Sequence, residues 1–151
     1  MLELATSKDR AEVNRLARQV HELHVSWRPD IFKMPEELFP AELYDQLVKE
    51  RRLYVAKETG TIAGFVLLKV RDSVSHDRLS RRIMNIDQLC VDEAFRSHGI
   101  GTRMMEEVHA LAKAFGCTDL QLNVFPQNDA AVSFYQKCGF MICSIDMQRK
   151  V

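Results

Sequence analysis

The feature that most constrains the fold of this chain is a strand-like segment, followed by a short connection and a helix that has glycines at its start. Residues 83–91 form an apolar strand pattern, and residues 99–115 place apolar side chains on one helical face. Gly99 and Gly101 stand at the start of that helix, and Arg96 precedes them. The first N–H groups of a helix lack intrahelical acceptors and carry positive potential. The pattern therefore predicts an anion-binding helix N-terminus, of the kind that holds a phosphate group.

Two common phosphate-binding motifs do not fit this helix start. A P-loop requires Gly-Lys-Ser or Gly-Lys-Thr, whereas the chain has Gly101-Thr102-Arg103. A dinucleotide-binding fingerprint requires a third glycine, at the position where Met104 stands. Glycines before a helix are also ordinary turn residues, so the assignment depends on the surrounding segments.

The hydrophobic periodicity predicts one α+β domain covering residues 1–151, without a linker or a repeat. We expect helices near residues 13–23, 41–50, 99–115 and 128–137. We expect strands at residues 53–56, 62–68, 83–91, 120–125 and 140–147. Residues 27–40 are predicted to be irregular, and the polar residues 72–82 to form a loop.

The charge composition gives no general attraction to nucleic acid or to anionic membranes, because 21 Lys and Arg residues balance 21 Asp and Glu residues. No apolar run approaches the ~18 residues of a membrane-spanning helix. The first residues lack the pattern of a signal peptide. The four cysteines form no CxxC pair, so we expect no metal site, and we expect a cytoplasmic protein.

Segments downstream of the helix start complete a larger pattern. They are Leu122-Asn123-Val124, Asn128-Asp129-Ala130-Ala131 and Phe134-Tyr135-Gln136-Lys137-Cys138-Gly139-Phe140. Together with the Arg96-x-x-Gly99-x-Gly101 motif, this order resembles the GNAT superfamily of acetyltransferases. The resemblance covers residues 53–147, and residues 1–52 match only in general layout. It implies a mixed, mostly antiparallel sheet with flanking helices, in which strands 83–91 and 120–125 run parallel and splay apart around acetyl-CoA.

The resemblance also implies which residues hold acetyl-CoA. The backbone at the end of strand 83–91 would pair with the pantetheine arm, the helix start would cradle the pyrophosphate, and an asparagine would hold the cofactor from the other side. These residues are Leu89, Cys90, Val91, Arg96, Ser97, His98, Gly99, Ile100, Gly101, Thr102 and Asn128.

Acyl transfer to an amine requires a neutral amine and a proton for the departing thiolate. Tyr135 matches the family's usual proton donor, which also lies against the cofactor. Asp87 stands where many relatives carry a carboxylate that takes a proton from the amine, often through water. It either acts as this base or binds the cationic amine. Some ribosomal-protein acetyltransferases have a Glu at the position of Asn123, and an amide cannot replace it as a base.

Residues 27–40 are where relatives cover the acceptor site, so Trp27 and Phe32 are candidate acceptor contacts. The expected acceptor is an amine of a small molecule or a peptide, and a homodimer is left open. His21 and His24 are interpreted as packed or solvated residues, since no third metal ligand accompanies them. The alternative function is a non-catalytic acyl-CoA-binding sensor or regulatory module. The presence of both Tyr135 and Asp87 favours the enzyme.

Overall fold

A computed structural model describes residues 2–151 as one five-stranded sheet with helices on both faces. The strands are β1 (Leu2–Leu4), β2 (Leu53–Glu58), β3 (Thr61–Ser75), β4 (Arg78–Val91) and β5 (Asp119–Leu122). The helices are α1 (Arg10–Trp27), α2 (Ala41–Lys49), α3 (Ile100–Ala114) and α4 (Asp129–Lys137), with short 3₁₀ turns at Ser7–Asp9 and Glu93–Phe95. The strand order is β1-β2-β3-β4-β5, and only β4 and β5 pair in parallel. The predicted α+β class and mostly antiparallel mixed sheet are confirmed.

The sheet separates two apolar clusters because successive strand residues point to opposite faces. Leu53 and Val55 pack with Leu16 of α1 and Tyr44 of α2 on one face. Their neighbours Tyr54 and Ala56 belong to the cluster on the other face, which includes buried residues of α3. α1 and α2 therefore cover one face of the sheet, and α3 covers the other.

The two parallel strands separate halfway along β4. Their pairing begins with Ile83 opposite Asp119 and ends with Ile86 opposite Leu122, whereas β4 continues to Val91. The second half of β4 therefore has no neighbour on the β5 side. This confirms the predicted splay.

The predicted loop over residues 72–82 is wrong, because β3 and β4 form a long antiparallel arm there. β3 runs to Ser75 and β4 begins at Arg78. Asp72 lies opposite Arg82 and accepts a hydrogen bond from its Nε at 2.9 Å. The arm is largely exposed on both faces, so it needs no apolar residues, and its polar composition resembles that of a loop.

The predicted strand over residues 140–147 is also wrong. These residues form no ladder, although the Phe140 N–H donates to the Tyr135 carbonyl at 3.0 Å. A suitable residue pattern makes a strand only where another strand pairs with it, and within residues 2–151 no strand pairs with this segment. β5 itself ends at Leu122 rather than at residue 125. The three-residue strand β1 was not predicted, because it is too short to show alternation.

Candidate active site

The start of α3 presents a row of unpaired backbone donors. Gly99 occupies the N-cap position with φ +75°, and Ser97 has φ +66°. The first bond of the helix runs from the Arg103 N–H to the Gly99 carbonyl at 3.1 Å. Within residues 2–151, no acceptor binds the N–H groups from Ser97 to Thr102. This exposed turn has the donor arrangement that an anion such as a pyrophosphate requires.

A buried aspartate, Asp92, fixes the segment that connects β4 with the start of α3. Asp92 is only 5% exposed, and its carboxylate accepts hydrogen bonds from Arg15 Nη2 at 2.6 Å, Gln19 Nε2 at 3.2 Å and the Ala94 N–H at 3.2 Å. The Arg15 guanidinium holds the pKa of this carboxyl below its usual range. The sequence analysis missed this support, because nothing local links Asp92 to residues on α1.

The second glycine of the motif makes room for packing. A β-carbon at Gly101 would lie 3.3 Å from the Phe134 ring and 3.6 Å from Val91 Cγ2. Phe134 belongs to α4 and Val91 ends β4, so this contact brings α3, α4 and β4 together. At Gly99, by contrast, a β-carbon would meet nothing within 4 Å, and the positive φ accounts for the glycine.

The last residues of β4 form the wall of the splay. Leu89, Cys90 and Val91 pair with β3 on one side only. The Val91 carbonyl accepts a hydrogen bond from Arg96 Nε at 3.2 Å, which ties Arg96 to the strand end. The Cys90 side chain points toward α1, where its thiol donates to the Leu16 carbonyl at 3.3 Å. Burial raises the pKa of Cys90 to about 12, so this thiol is not a ready nucleophile.

Tyr135 lies on α4 between the Phe134 and Phe140 rings, at centroid distances of 5.3 and 5.7 Å. Burial raises the pKa of Tyr135 to about 12. Within residues 2–151, no group shares a hydrogen bond with the Tyr135 hydroxyl. The phenol therefore keeps its proton at neutral pH and has it free to donate.

Asp87 occupies a β-bulge in β4. Leu67 lies opposite Gln88 and Leu68 lies opposite Ile86, so Asp87 has no opposite residue on β3. Bulges of this kind redirect a side chain and are frequent beside active sites. Arg52 Nη2 donates to the Asp87 carboxylate at 2.8 Å, and this arginine was not among the predicted residues.

An aromatic cluster lies beyond the end of β5. His24 of α1 is 5.4 Å from the Phe32 ring, 5.4 Å from Phe125 and 6.0 Å from Trp27. Burial and the nearby His21 lower the pKa of His24. Trp27 and Phe32, the predicted acceptor contacts, therefore lie in one aromatic group with His24 and Phe125, which the sequence analysis did not connect with them.

The two histidines, interpreted from the sequence as packed or solvated, contact a backbone carbonyl and aromatic rings. His21 Nε2 lies 2.8 Å from the Lys33 carbonyl oxygen, and its ring contacts Phe32. In the described part of the chain, no group of three His, Cys, Asp or Glu residues could hold a metal ion.

Asn128 caps α4. Its side-chain oxygen accepts a hydrogen bond from the Ala131 N–H at 3.2 Å. This cap fixes the start of the helix that carries Tyr135. The predicted contact between Asn128 and the cofactor stays a prediction.

Comparison with known proteins agrees with this geometry. Residues 17–140 match the profile of the Acetyltransferase (GNAT) family. The spermine/spermidine N(1)-acetyltransferase of Bacillus subtilis (strain 168) is 27% identical over 54% of this chain and 53% of its own length. Glucosamine 6-phosphate N-acetyltransferase 1 of Oryza sativa subsp. japonica is 28% identical over 76% of this chain and 68% of its own length. A mutant of the BH1408 protein from Bacillus halodurans, known from its crystal structure, is 29% identical, with a TM-score of 0.94 over 100% of this chain and 99% of that one.

The class of protein follows from three findings. These are the splayed parallel strands, the unpaired N–H groups at the start of α3 and the matches to known proteins. The chain belongs to the GNAT family of acetyltransferases. Its match spans about half the length of the Bacillus subtilis enzyme. Within residues 2–151, no helix has both the length and the apolar character needed to span a membrane.

Proposed function

We propose that this protein transfers an acetyl group from acetyl-CoA to a primary amine of a small molecule or peptide. The observation that carries the proposal is the row of unpaired N–H groups from Ser97 to Thr102, beside the open half of β4. A pyrophosphate accepts such donors, and the helix dipole adds favourable potential. Arg96 supplies a positive charge at the same turn.

The residues present fit the rest of acetyl-CoA as well. β5 does not pair with Leu89, Cys90 or Val91, so their backbone N–H and C=O groups on this side suit the amides of the pantetheine arm, except the Val91 carbonyl, which accepts from Arg96. Asn128, the N-cap of α4, would contact the cofactor from the other side, as the family resemblance implies. Bound there, acetyl-CoA supplies the acetyl group as a thioester.

Tyr135 acts as the general acid in the proposed reaction. Its hydroxyl keeps its proton at neutral pH and would give it to the departing thiolate sulfur. Asp87 takes a proton from the acceptor amine through a water molecule, so that the amine is neutral when it attacks. Arg52 holds the Asp87 carboxylate in place at 2.8 Å and makes it a positioned group rather than a mobile one.

The acceptor enters past the aromatic cluster of His24, Trp27, Phe32 and Phe125. All four side chains are half-buried and contact one another through His24 or Phe32, which suits the apolar part of an acceptor. Aromatic faces also attract ammonium groups. The site therefore combines an apolar wall with a carboxylate for the amine.

A thiol-release assay with acetyl-CoA tests this proposal. The panel contains spermidine, glucosamine 6-phosphate, an aminoglycoside and a lysine-containing peptide, because relatives or structural neighbours carry these acceptors in their names. We expect thiol release from acetyl-CoA that requires both the acceptor amine and the protein, and that disappears when either is omitted. Acetyl-CoA binding by calorimetry without release for any amine would favour the sensor alternative, and no binding would refute the cofactor site.

A further inference from the structure

Arg71 on β3 is a cation that neutral side chains hold in place. Its Nε donates to Asn85 Oδ1 at 3.3 Å, and its Nη2 donates to Gln121 Oε1 at 3.2 Å. Asn85 of β4 and Gln121 of β5 lie opposite each other in the parallel register. Leu67 packs in the cluster under α1 and α2, and Arg71 follows it by four residues on β3, so both side chains point to that face. The Arg71 side chain therefore reaches across β4 to β5 on the face that α1 and α2 cover.

The charge of Arg71 has no counter-charge in the described part of the chain. Amide oxygens accept hydrogen bonds but carry no net charge, so the two amides orient the guanidinium without neutralising it. Among the arginines of residues 2–151 that form no ion pair, Arg71 alone is half-buried, whereas Arg51, Arg78 and Arg149 are exposed. Partial removal of an unpaired cation from water is unfavourable, and a bound anion would offset this cost.

Two carboxylates on the neighbouring strands have other partners. Asp87 of β4 is paired with Arg52 at 2.8 Å, and Asp119 of β5 lies 3.6 Å from Arg81 Nη1. Arg71 uses two of its five N–H groups on the amides. Within residues 2–151, no acceptor binds the others. The guanidinium therefore has donors left for a ligand.

Arg71 lies on the side of the sheet where the candidate acceptor residues lie. Along the parallel direction of β4 and β5, the pair Asn85 and Gln121 comes first, while the strands are still joined. Asp87 follows Asn85 by two residues, at the point where the strands separate. Phe125 of the aromatic cluster follows Gln121 by four residues, and this cluster includes His24 of α1. The cation therefore stands at the closed end of the splay, next to the carboxylate.

We propose that Arg71 binds an anionic group of the acceptor, a carboxylate or a phosphate, while the acceptor amine lies at Asp87. This inference rests on the proposed function, because it places the acceptor on the sheet face that carries Asp87. A guanidinium forms paired, charge-assisted hydrogen bonds with either anion. The substrates are therefore amines that carry a negative charge in the same molecule.

The spacing of Asn85 and Asp87 sets the length of this acceptor. Two residues of a strand span about 6.5 Å, so the amine and the anionic group should lie roughly 5–10 Å apart. The α-amine and the carboxylate of an α-amino acid are too close together for this span. An amino acid with its amine at the far end of the chain, such as 6-aminohexanoate, has a suitable length, and so does glucosamine 6-phosphate.

Calorimetric titration in the presence of CoA tests the proposal with two matched pairs of probes. One pair is 6-aminohexanoate and its neutral amide, 6-aminohexanamide, and the other is glucosamine 6-phosphate and glucosamine. The members of each pair differ only in the anionic group. We expect the charged member of at least one pair to bind about 10–100-fold more tightly, the range for a hydrogen bond between charged groups. The pair that shows the preference identifies the anion as carboxylate or phosphate.

Arg71→Met should abolish this preference, because it removes the charge and the donors. The substitution leaves no carboxylate unpaired, so the variant should fold. Arg71→Gln, which removes the charge but keeps a polar side chain, should behave in the same way. Arg78→Met is the matched control, since Arg78 also forms no ion pair within residues 2–151 but is exposed at the start of β4. It removes the same charge and should keep the preference.

Several outcomes would overturn the proposal. They are equal affinity for the charged and neutral members of both pairs, a preference that survives in the Arg71 variants, its loss in Arg78→Met, and no binding of any of the four probes. Thiol release from acetyl-CoA, measured on the same compounds, separates this proposal from the proposed function. Charge-selective binding without thiol release would refute the transferase and leave the anion site in place. Thiol release without any preference for the charged compounds would refute only the anion site.

Discussion

Arg52 Nη2 lies 2.8 Å from the carboxylate of Asp87, the residue at the bulge of β4. The same arginine donates through Nε to the Leu68 carbonyl at 2.9 Å. Arg52 precedes β2, so the pair connects the start of one strand with the irregular point of another. The bulge and the guanidinium together fix where the carboxylate points.

This pair leads to the first prediction. Replacing Asp87 with Asn should lower kcat and leave a residual rate that rises with pH, because the amine must then lose its proton to the solvent. The measurement is a pH–rate profile of kcat and KM. Asp72→Asn is the matched control, since Asp72 is also paired with an arginine but lies on the β3–β4 arm. A raised KM with unchanged kcat would instead assign Asp87 to amine binding.

The second prediction concerns the proton donor. Tyr135→Phe should lower kcat by about 10²–10⁴-fold, the usual range for general acid catalysis, while acetyl-CoA affinity stays the same. Tyr44→Phe is the control, because the Tyr44 hydroxyl donates to the Thr6 carbonyl at 2.8 Å on the other side of the fold. It should cost about 0.5–1.5 kcal/mol of stability without changing kcat. Full turnover in Tyr135→Phe would exclude the role.

The third prediction follows from the ionisation of Tyr135. Because burial raises its pKa to about 12, loss of this proton should not cause an alkaline fall in kcat near pH 10. The same shift favours the folded state below the unfolded pKa of about 10 and is lost as the pH rises toward 12. A titration at 295 nm, as the difference between the parent and Tyr135→Phe, should show a phenol that ionises near pH 12. Ionisation near pH 10 would contradict its burial.

The fourth prediction separates backbone strain from cofactor contact at the start of α3. Gly99→Val should weaken acetyl-CoA binding by at least about tenfold and cost about 1–2 kcal/mol of stability, because φ is +75° there. Gly116→Val imposes the same kind of strain at φ +69°, at the far end of α3. It should lose similar stability but keep its affinity in calorimetric titration. Equal affinity losses in both variants would remove the pyrophosphate from the start of α3.

The fifth prediction concerns the buried Asp92, which precedes that turn in the chain. The pKa of Asp92 is lowered chiefly by its hydrogen bond from Arg15, so its contribution to stability is present above the unfolded pKa of about 3.9. It is lost as the pH falls through the lower folded pKa. Asp92→Asn should lose about 1.5–3 kcal/mol at pH 7 and show a flatter decline in acid. Urea unfolding between pH 2 and 7 measures this, and an unchanged acid profile would contradict it.

The amino-acid sequence alone determined the parts of this protein that depend on near neighbours. The helix predicted at residues 99–115 is observed at Ile100–Ala114, because a glycine N-cap, a continuous apolar face and Gly116 all act within one segment. Helix α4 and its Asn128 cap likewise depend on residues that are close together in the sequence. In these segments periodicity and capping residues are sufficient to predict the element.

Only the tertiary structure decided the contacts between distant segments. Asp92 meets Arg15 across 77 positions, Asp87 meets Arg52 across 35, and His24 meets Phe125 on another element. It also decided that residues 78–82 extend β4, whereas residues 140–147 form no strand within one chain. Strand formation depends on a neighbour that supplies hydrogen bonds, and which segments become neighbours is set by packing of the whole chain rather than by local residue pattern.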